Sequence, residues 1–185
     1  MKISTFLAGL VLGAACASAG VPEAVDAAAI PAYRLIHPGL AAAGQPSPAA
    51  LASLEEMGFR TVVNLRTEKE GGAEERSVVE AQGLRYVWVP VTPDSFSLAD
   101  VEAIERVLDD TTAGPVLFHC SSSNRVGGAW AVIQARKGQA LAEAEAAGRA
   151  AGLHSPQMEA AVRRVLGVPA LATAPPAPAA APVNP

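Results

Sequence analysis

Cys120 and Arg125 enclose a short polar run, Ser121-Ser122-Ser123-Asn124, between the apolar stretch Val116-Leu117-Phe118 and a helical stretch that carries Gly127 and Gly128. A thiol at a strand-to-helix junction meets unpaired main-chain N–H groups and about half a positive charge from the helix N-terminus. A guanidinium nearby favours its thiolate further. The chemistry these residue types support is nucleophilic attack by Cys120 on a group held by the same amides. The planar fork of Arg125 is suited to gripping two oxygens of a tetrahedral oxyanion, which a lysine cannot do. The expected anion-binding set is Ser121, Ser122, Ser123, Asn124 and Arg125, with Cys120 and Arg125 catalytic. His119 precedes the cysteine on the strand, so its side chain points to the opposite face and supports the loop from behind rather than acting as a base.

The elements around this loop read as alternating strands and helices. Short strands are expected at Tyr33–Ile36 and Leu40–Ala43 about a His37-Pro38-Gly39 turn, then at Thr61–Leu65, Tyr86–Val89 and Val116–His119. Helices are expected from Ser47-Pro48 to about Met57, over 73–82, from Ser97 to about Asp110 with Asp100 closing a capping box, and over 125–137, 140–151 and 155–166. This alternation implies an α/β domain with a central mixed, mostly parallel sheet of four to five strands and helices on both faces. In such a sheet ligands bind at the carboxyl ends of strands, where Cys120 sits.

The 185 residues suffice for one domain, expected over 32–168. Half the residues are apolar but only 4% are aromatic, so an aliphatic, alanine-rich core is expected. Residues 1–19 read as a cleavable signal peptide. Lys2 gives a positive start, Ile3 to Ala15 is small or apolar, and Ala17-Ser18-Ala19 is a small-x-small cleavage pattern. The apolar run is short for a membrane span. The expected location is therefore periplasmic or secreted, with no stable membrane insertion after cleavage. Removing the leader removes Cys16 and leaves Cys120 as a lone thiol, worth flagging in an oxidising compartment, where cysteines usually pair. A flexible segment is expected over 20–31 and a disordered proline- and alanine-rich tail over 169–185. The net charge of −4, or −5 without Lys2, argues against nucleic acid as a partner.

His119-Cys120, the polar loop, Arg125 and the glycine-containing helix together resemble the signature of cysteine-dependent protein phosphatases. The wider set Gly44-Gln45-Pro46, Asn64-Leu65-Arg66, Val89-Pro90-Val91 and His119 to Gly127 resembles, in order and spacing, the bacterial beta-lactamase-hydrolase-like phosphatase-like family. The resemblance covers about residues 32 to 153. It implies a tyrosine-phosphatase-like three-layer fold and hydrolysis of a phosphate ester through a phosphocysteine. It also suggests Asp94, in the loop 26 residues before Cys120, as general acid, a position where a turn residue after Pro93 is equally natural.

Two features depart from ordinary tyrosine phosphatases. Four residues rather than five separate Cys120 from Arg125, a loop length shared with rhodanese-type sulfurtransferases and with the resembling bacterial family. Val126 stands where a serine or threonine hydroxyl usually assists departure of the thiolate. Ser123 also takes a place where glycine is common, at a turn favouring positive φ. Three readings follow: a phosphatase; a sulfurtransferase carrying a persulfide on Cys120; and a binder of phosphorylated or sulfur-containing ligands without turnover. No cofactor is implied, and His37 and His154 show no metal-ligand spacing. The charged run at Arg66, Glu68 and Glu70 either rims the pocket or is a solvated face.

Overall fold

The computed structural model describes residues 20–169. The leader and all but the first residue of the expected tail lie outside the described residues. Five strands form one sheet: β1 (Arg34–His37), β2 (Leu40–Ala43), β3 (Thr61–Asn64), β4 (Arg85–Trp88) and β5 (Val116–His119). Their order is β1-β2-β5-β3-β4, antiparallel between β1 and β2 and parallel elsewhere. The sheet is thus mixed and mostly parallel, and β5, which Cys120 directly follows, lies at its centre, where a run of valine, leucine and phenylalanine is buried on both faces.

Six helices flank it: α1 (Pro48–Leu51), α2 (Glu75–Glu80), α3 (Leu98–Leu108), α4 (Asn124–Arg136), α5 (Leu141–Ala150) and α6 (Pro156–Leu166). On one face Ala41, Ala43, Val62 and Leu117 pack with Leu51, Leu54 and Val79 from the α1 and α2 side. On the other, Ala42, Val63 and Phe118 pack with Val101 and Ile104 of α3, Val126 and Val132 of α4 and Met158 of α6. Strand alternation sorts these residues, placing Cys120 with Phe118 on the second face and His119 with Leu117 on the first.

Local start signals match the sequence. Ser47, Ser97 and Ser155 each cap a helix through their hydroxyls, and Asp100 closes the capping box of α3. Two expectations are corrected. α1 ends at Leu51, and the chain to Gly58 continues as turns; the Ser53 hydroxyl bonds the carbonyls of Ala49 and Ala50 and competes with the helical ladder. Residues 20–31, expected as a flexible tether, are docked on the domain. Ile30 is fully buried and Val21 nearly so, Val21 N donates to Pro38 O at 3.0 Å, and Ser47 N donates to Ala29 O at 2.8 Å. The alanine-rich composition concealed the two branched residues that anchor this segment.

Candidate active site

The register places Ala43, His119, Asn64 and Trp88 level with one another at the carboxyl ends of their strands. The chain leaving each strand therefore emerges at the same edge. These segments are stitched together by main-chain bonds: Cys120 N to Ala43 O (3.3 Å), Gln45 N to Ser121 O (3.2 Å), Leu65 N to His119 O (3.0 Å) and Val91 N to Leu65 O (3.1 Å).

Ser121 to Ser123 turn the chain from β5 into α4. Ser123 occupies the left-handed region, at φ +66°. Its hydroxyl donates to Ala151 O at 2.7 Å, which offsets part of the cost of that conformation. Room for it comes from Gly152, where a Cβ would lie 2.6 Å from Ser123 Cβ, at a backbone φ of +118° that side chains rarely adopt. Asn124 looks the same way: its Oδ1 accepts from His154 N (2.9 Å) and Ser155 N (3.1 Å), and its Nδ2 donates to Ser155 Oγ (2.8 Å). The side chains of Ser123 and Asn124 thus brace the loop against the α5–α6 connection, and what they can offer an anion is main-chain N–H. The amides of the first turn of α4 have no intrahelical acceptor. Ser122 is exposed.

Cys120 is 1% exposed. Its sulfur lies beside Arg125. Burial of the guanidinium opposes its charge, but the carboxylate of Glu70 and the neighbouring Cys120 outweigh burial and raise the Arg125 pKa above its ordinary value. The two-oxygen grip expected of Arg125 is made, in this structure, to Glu70: Nη1 to Oε2 at 2.8 Å and Nη2 to Oε1 at 2.7 Å. Nη1 also donates to Val91 O (2.9 Å) and Leu65 O (3.1 Å), and Nη2 to Ser121 Oγ (2.9 Å). Nε is the guanidinium nitrogen without such a partner among the described residues. Glu70 closes a 3-10 turn, Glu68–Glu70, whose Thr67 donates to Oε2 from both N and Oγ1 at 2.8 Å, and Ser121 Oγ donates to Oε1 at 2.6 Å. These bonds, led by that from Arg125, hold the Glu70 carboxyl well below the usual carboxylate range against a smaller effect of burial.

Behind the loop lies a buried polar cluster. His119 is fully buried with Nε2 3.2 Å from Glu75 Oε2, and Glu75, 6% exposed, also pairs with Arg66. Burial pushes the Glu75 pKa up, yet His119 and Arg66 together lower it below its ordinary value. Asn64 accepts from Arg66 N (2.7 Å) and donates to the Tyr86 hydroxyl (2.8 Å), which itself donates to Gly72 O. The motif Asn64-Leu65-Arg66 thus shapes the chain that delivers Glu70 to Arg125. Asp94 is exposed and lies three residues past Val91, whose carbonyl accepts from Arg125. Asp100 serves α3.

The sequence left three contributors unassigned. Glu75 falls within the helix expected over 73–82, where nothing in its type or spacing marks a partner. Gly152 could have been paired with Ser123 only by knowing that α5 returns to the loop. Arg164 is one of two adjacent arginines on α6.

A family model described as beta-lactamase hydrolase-like protein, phosphatase-like domain, matches residues 32–137. The chain belongs to that family. A Beta-lactamase hydrolase-like protein of Xylella fastidiosa (strain Temecula1 / ATCC 700964) is 34% identical over 123 residues, 63% of this chain and 28% of that protein. The chain therefore spans less than a third of the length of that curated relative. The crystal structure of TpbA from Pseudomonas aeruginosa superposes with a TM-score of 0.61 at 23% identity, over 82% of this chain and 94% of that one. A variant of TpbA solved in complex with phosphotyrosine gives a TM-score of 0.59 at 23% identity, over 83% and 92% of the two chains. The phosphatase-like domain thus has the tyrosine-phosphatase-like fold that its residues led one to expect.

Proposed function

We propose that this phosphatase-like domain hydrolyses phosphate monoesters through a phosphocysteine on Cys120. The observation that carries this reading is the placement of the Cys120 thiol beside Arg125 at the amide-bearing start of α4, with Arg125 oriented by a fixed carboxylate. Cys120 Sγ attacks phosphorus in line; the S–P bond forms, the P–O bond to the leaving group breaks, and Asp94 supplies the proton that the departing oxygen needs. Water then attacks the phosphocysteine, Asp94 takes back a proton, and the thiolate departs. Loop amides and the Nε edge of Arg125 stabilise charge on the non-bridging oxygens. Phosphotyrosine, bound by the TpbA variant, is a reasonable first substrate class to try.

The test is release of phosphate from an aryl phosphate by wild type, Cys120→Ser and Asp94→Asn. Wild type turns over and Cys120→Ser does not; full turnover by Cys120→Ser refutes the reading. A second reading, sulfur transfer through a Cys120 persulfide, draws on the four-residue spacing between Cys120 and Arg125. A reductant-sensitive mass gain of one sulfur on the purified protein, together with absent phosphatase activity, supports it.

Export is part of the same proposal. A periplasmic or secreted protein whose purified N-terminus is Gly20 supports it, and an intact Met1 in the cytoplasmic fraction sinks it.

A further inference from the structure

The segment that carries Asp94 is held from outside the family-matched region. Arg164, in the last turn of α6, directs Nη2 to the carbonyls of Pro93 (2.8 Å) and Phe96 (3.1 Å), with the Asp94 carbonyl at 3.4 Å. The same loop is bonded within itself, by Thr92 N to Ser95 Oγ (3.0 Å), Ser95 N to Thr92 Oγ1 (3.1 Å) and Phe96 N to Thr92 O (2.9 Å). At its base Val91 is held on both sides, its N–H by Leu65 and its carbonyl by Arg125. Every one of these bonds fixes main chain or a neighbouring hydroxyl, and none engages the Asp94 carboxylate, which stays exposed. A locked backbone beneath a free carboxyl is the arrangement a preorganised proton donor requires, because misplacement by an ångström forfeits most of the benefit. A last-turn arginine ordinarily serves its own helix end; this one reaches across to another loop.

We propose that Arg164 is a positioning residue for the general acid, clamping the 93–96 backbone so that Asp94 faces the leaving group. This rests on the phosphatase reading above and on Asp94 as its acid. Proton donation matters for a poor leaving group and hardly at all for a good one, so the clamp has a signature that general loss of structure lacks.

The experiment compares kcat/KM for phenyl phosphate and 2,4-dinitrophenyl phosphate in wild type, Arg164→Ala, Arg164→Lys, Asp94→Asn and the Asp94→Asn/Arg164→Ala double variant. Arg164→Ala is expected to lose about fivefold on phenyl phosphate, a fraction of the 10²–10⁴ that positioned acids contribute, and less than about twofold on the dinitrophenyl ester. Arg164→Lys, which keeps a donor for Pro93 O, recovers most of the loss. The double variant is no slower than Asp94→Asn, because there is no longer an acid to position. Equal losses on both esters, or losses that multiply in the double variant, overturn the clamp while leaving the acid in place. If Asp94→Asn is itself insensitive to the leaving group, the acid assignment falls and the clamp with it. If Cys120→Ser retains turnover, the phosphatase reading fails first.

Discussion

Replacing Glu70 by alanine separates a strut from a plug. Glu70 makes two charge-assisted bonds to Arg125, at 2.7 and 2.8 Å, and is itself pinned by Thr67 and Ser121. A carboxylate held by both bonds of its own capping turn is a fixed part of the site, so its role is to orient the guanidinium rather than to mimic substrate. Hydrogen bonds to charged groups contribute about 1.5–3 kcal/mol each. With the Glu70 side chain 33% exposed and that of Arg125 11% exposed, screening reduces the pair to about 2 kcal/mol in all. For a domain of this size that corresponds to a fall in Tm of about 4–8 °C. An Arg125 that has lost this brace and keeps only its bonds to Leu65 O, Val91 O and Ser121 Oγ should lose about tenfold in affinity for vanadate, equivalent to about 1.4 kcal/mol, read by competition against alkylation of Cys120. Tighter vanadate binding by Glu70→Ala than by wild type refutes the argument, since it would mean that the carboxylate competes for the fork.

The same pair predicts a pH dependence. The folded-state pKa of Glu70 lies below its ordinary value of 4.5, so its stabilisation is complete above that pH and is lost as pH falls toward the folded value; the Tm difference between wild type and Glu70→Gln should be greatest at pH 7 and shrink below about pH 4.5. Gly152→Ala should destabilise by about 3 kcal/mol, since its Cβ would meet Ser123 Cβ at 2.6 Å and its φ is +118°; adding Ser123→Gly should restore part of this in chemical denaturation, and strict additivity would show that the two positions do not share a clash. Gly127→Ala places a Cβ 2.1 Å from Leu153 N and 2.5 Å from Gly148 O; pushing α5 off α4 should cost about 3 kcal/mol or more, and an unchanged Tm would contradict the close helix contact. Val126 is buried in the core and has no hydroxyl, so on the proposed phosphocysteine route hydrolysis of the intermediate should lag its formation and give a burst of one phenolate per chain in stopped flow; linear onset counts against slow breakdown.

Much of the site was legible because its signals are local. Cys120 and Arg125 are separated by one turn of chain, Ser97 and Asp100 by a capping box, and the β-branched run at Thr61 to Val63 specifies a buried strand whatever its neighbours. Strand alternation alone put His119 and Cys120 on opposite faces. Composition misled at residues 20–31, where alanine reads as linker while Val21 and Ile30 supply the anchor.

Residue type and spacing settled which groups meet at the junction of β5 and α4 and left three chemistries open to them, since a thiol, a guanidinium and helix-end amides depend only on nearby chain. What Arg125 grips, what holds His119 and what steadies Asp94 were decided by folding, because Glu70, Glu75 and Arg164 arrive from 55, 44 and 70 residues away in the chain. A carboxylate or an arginine in a charged surface run carries no mark of its eventual partner. Only the sheet order, which sets β5 beside β3 and lets α6 return over the loop after β4, converts those common residues into specific contacts.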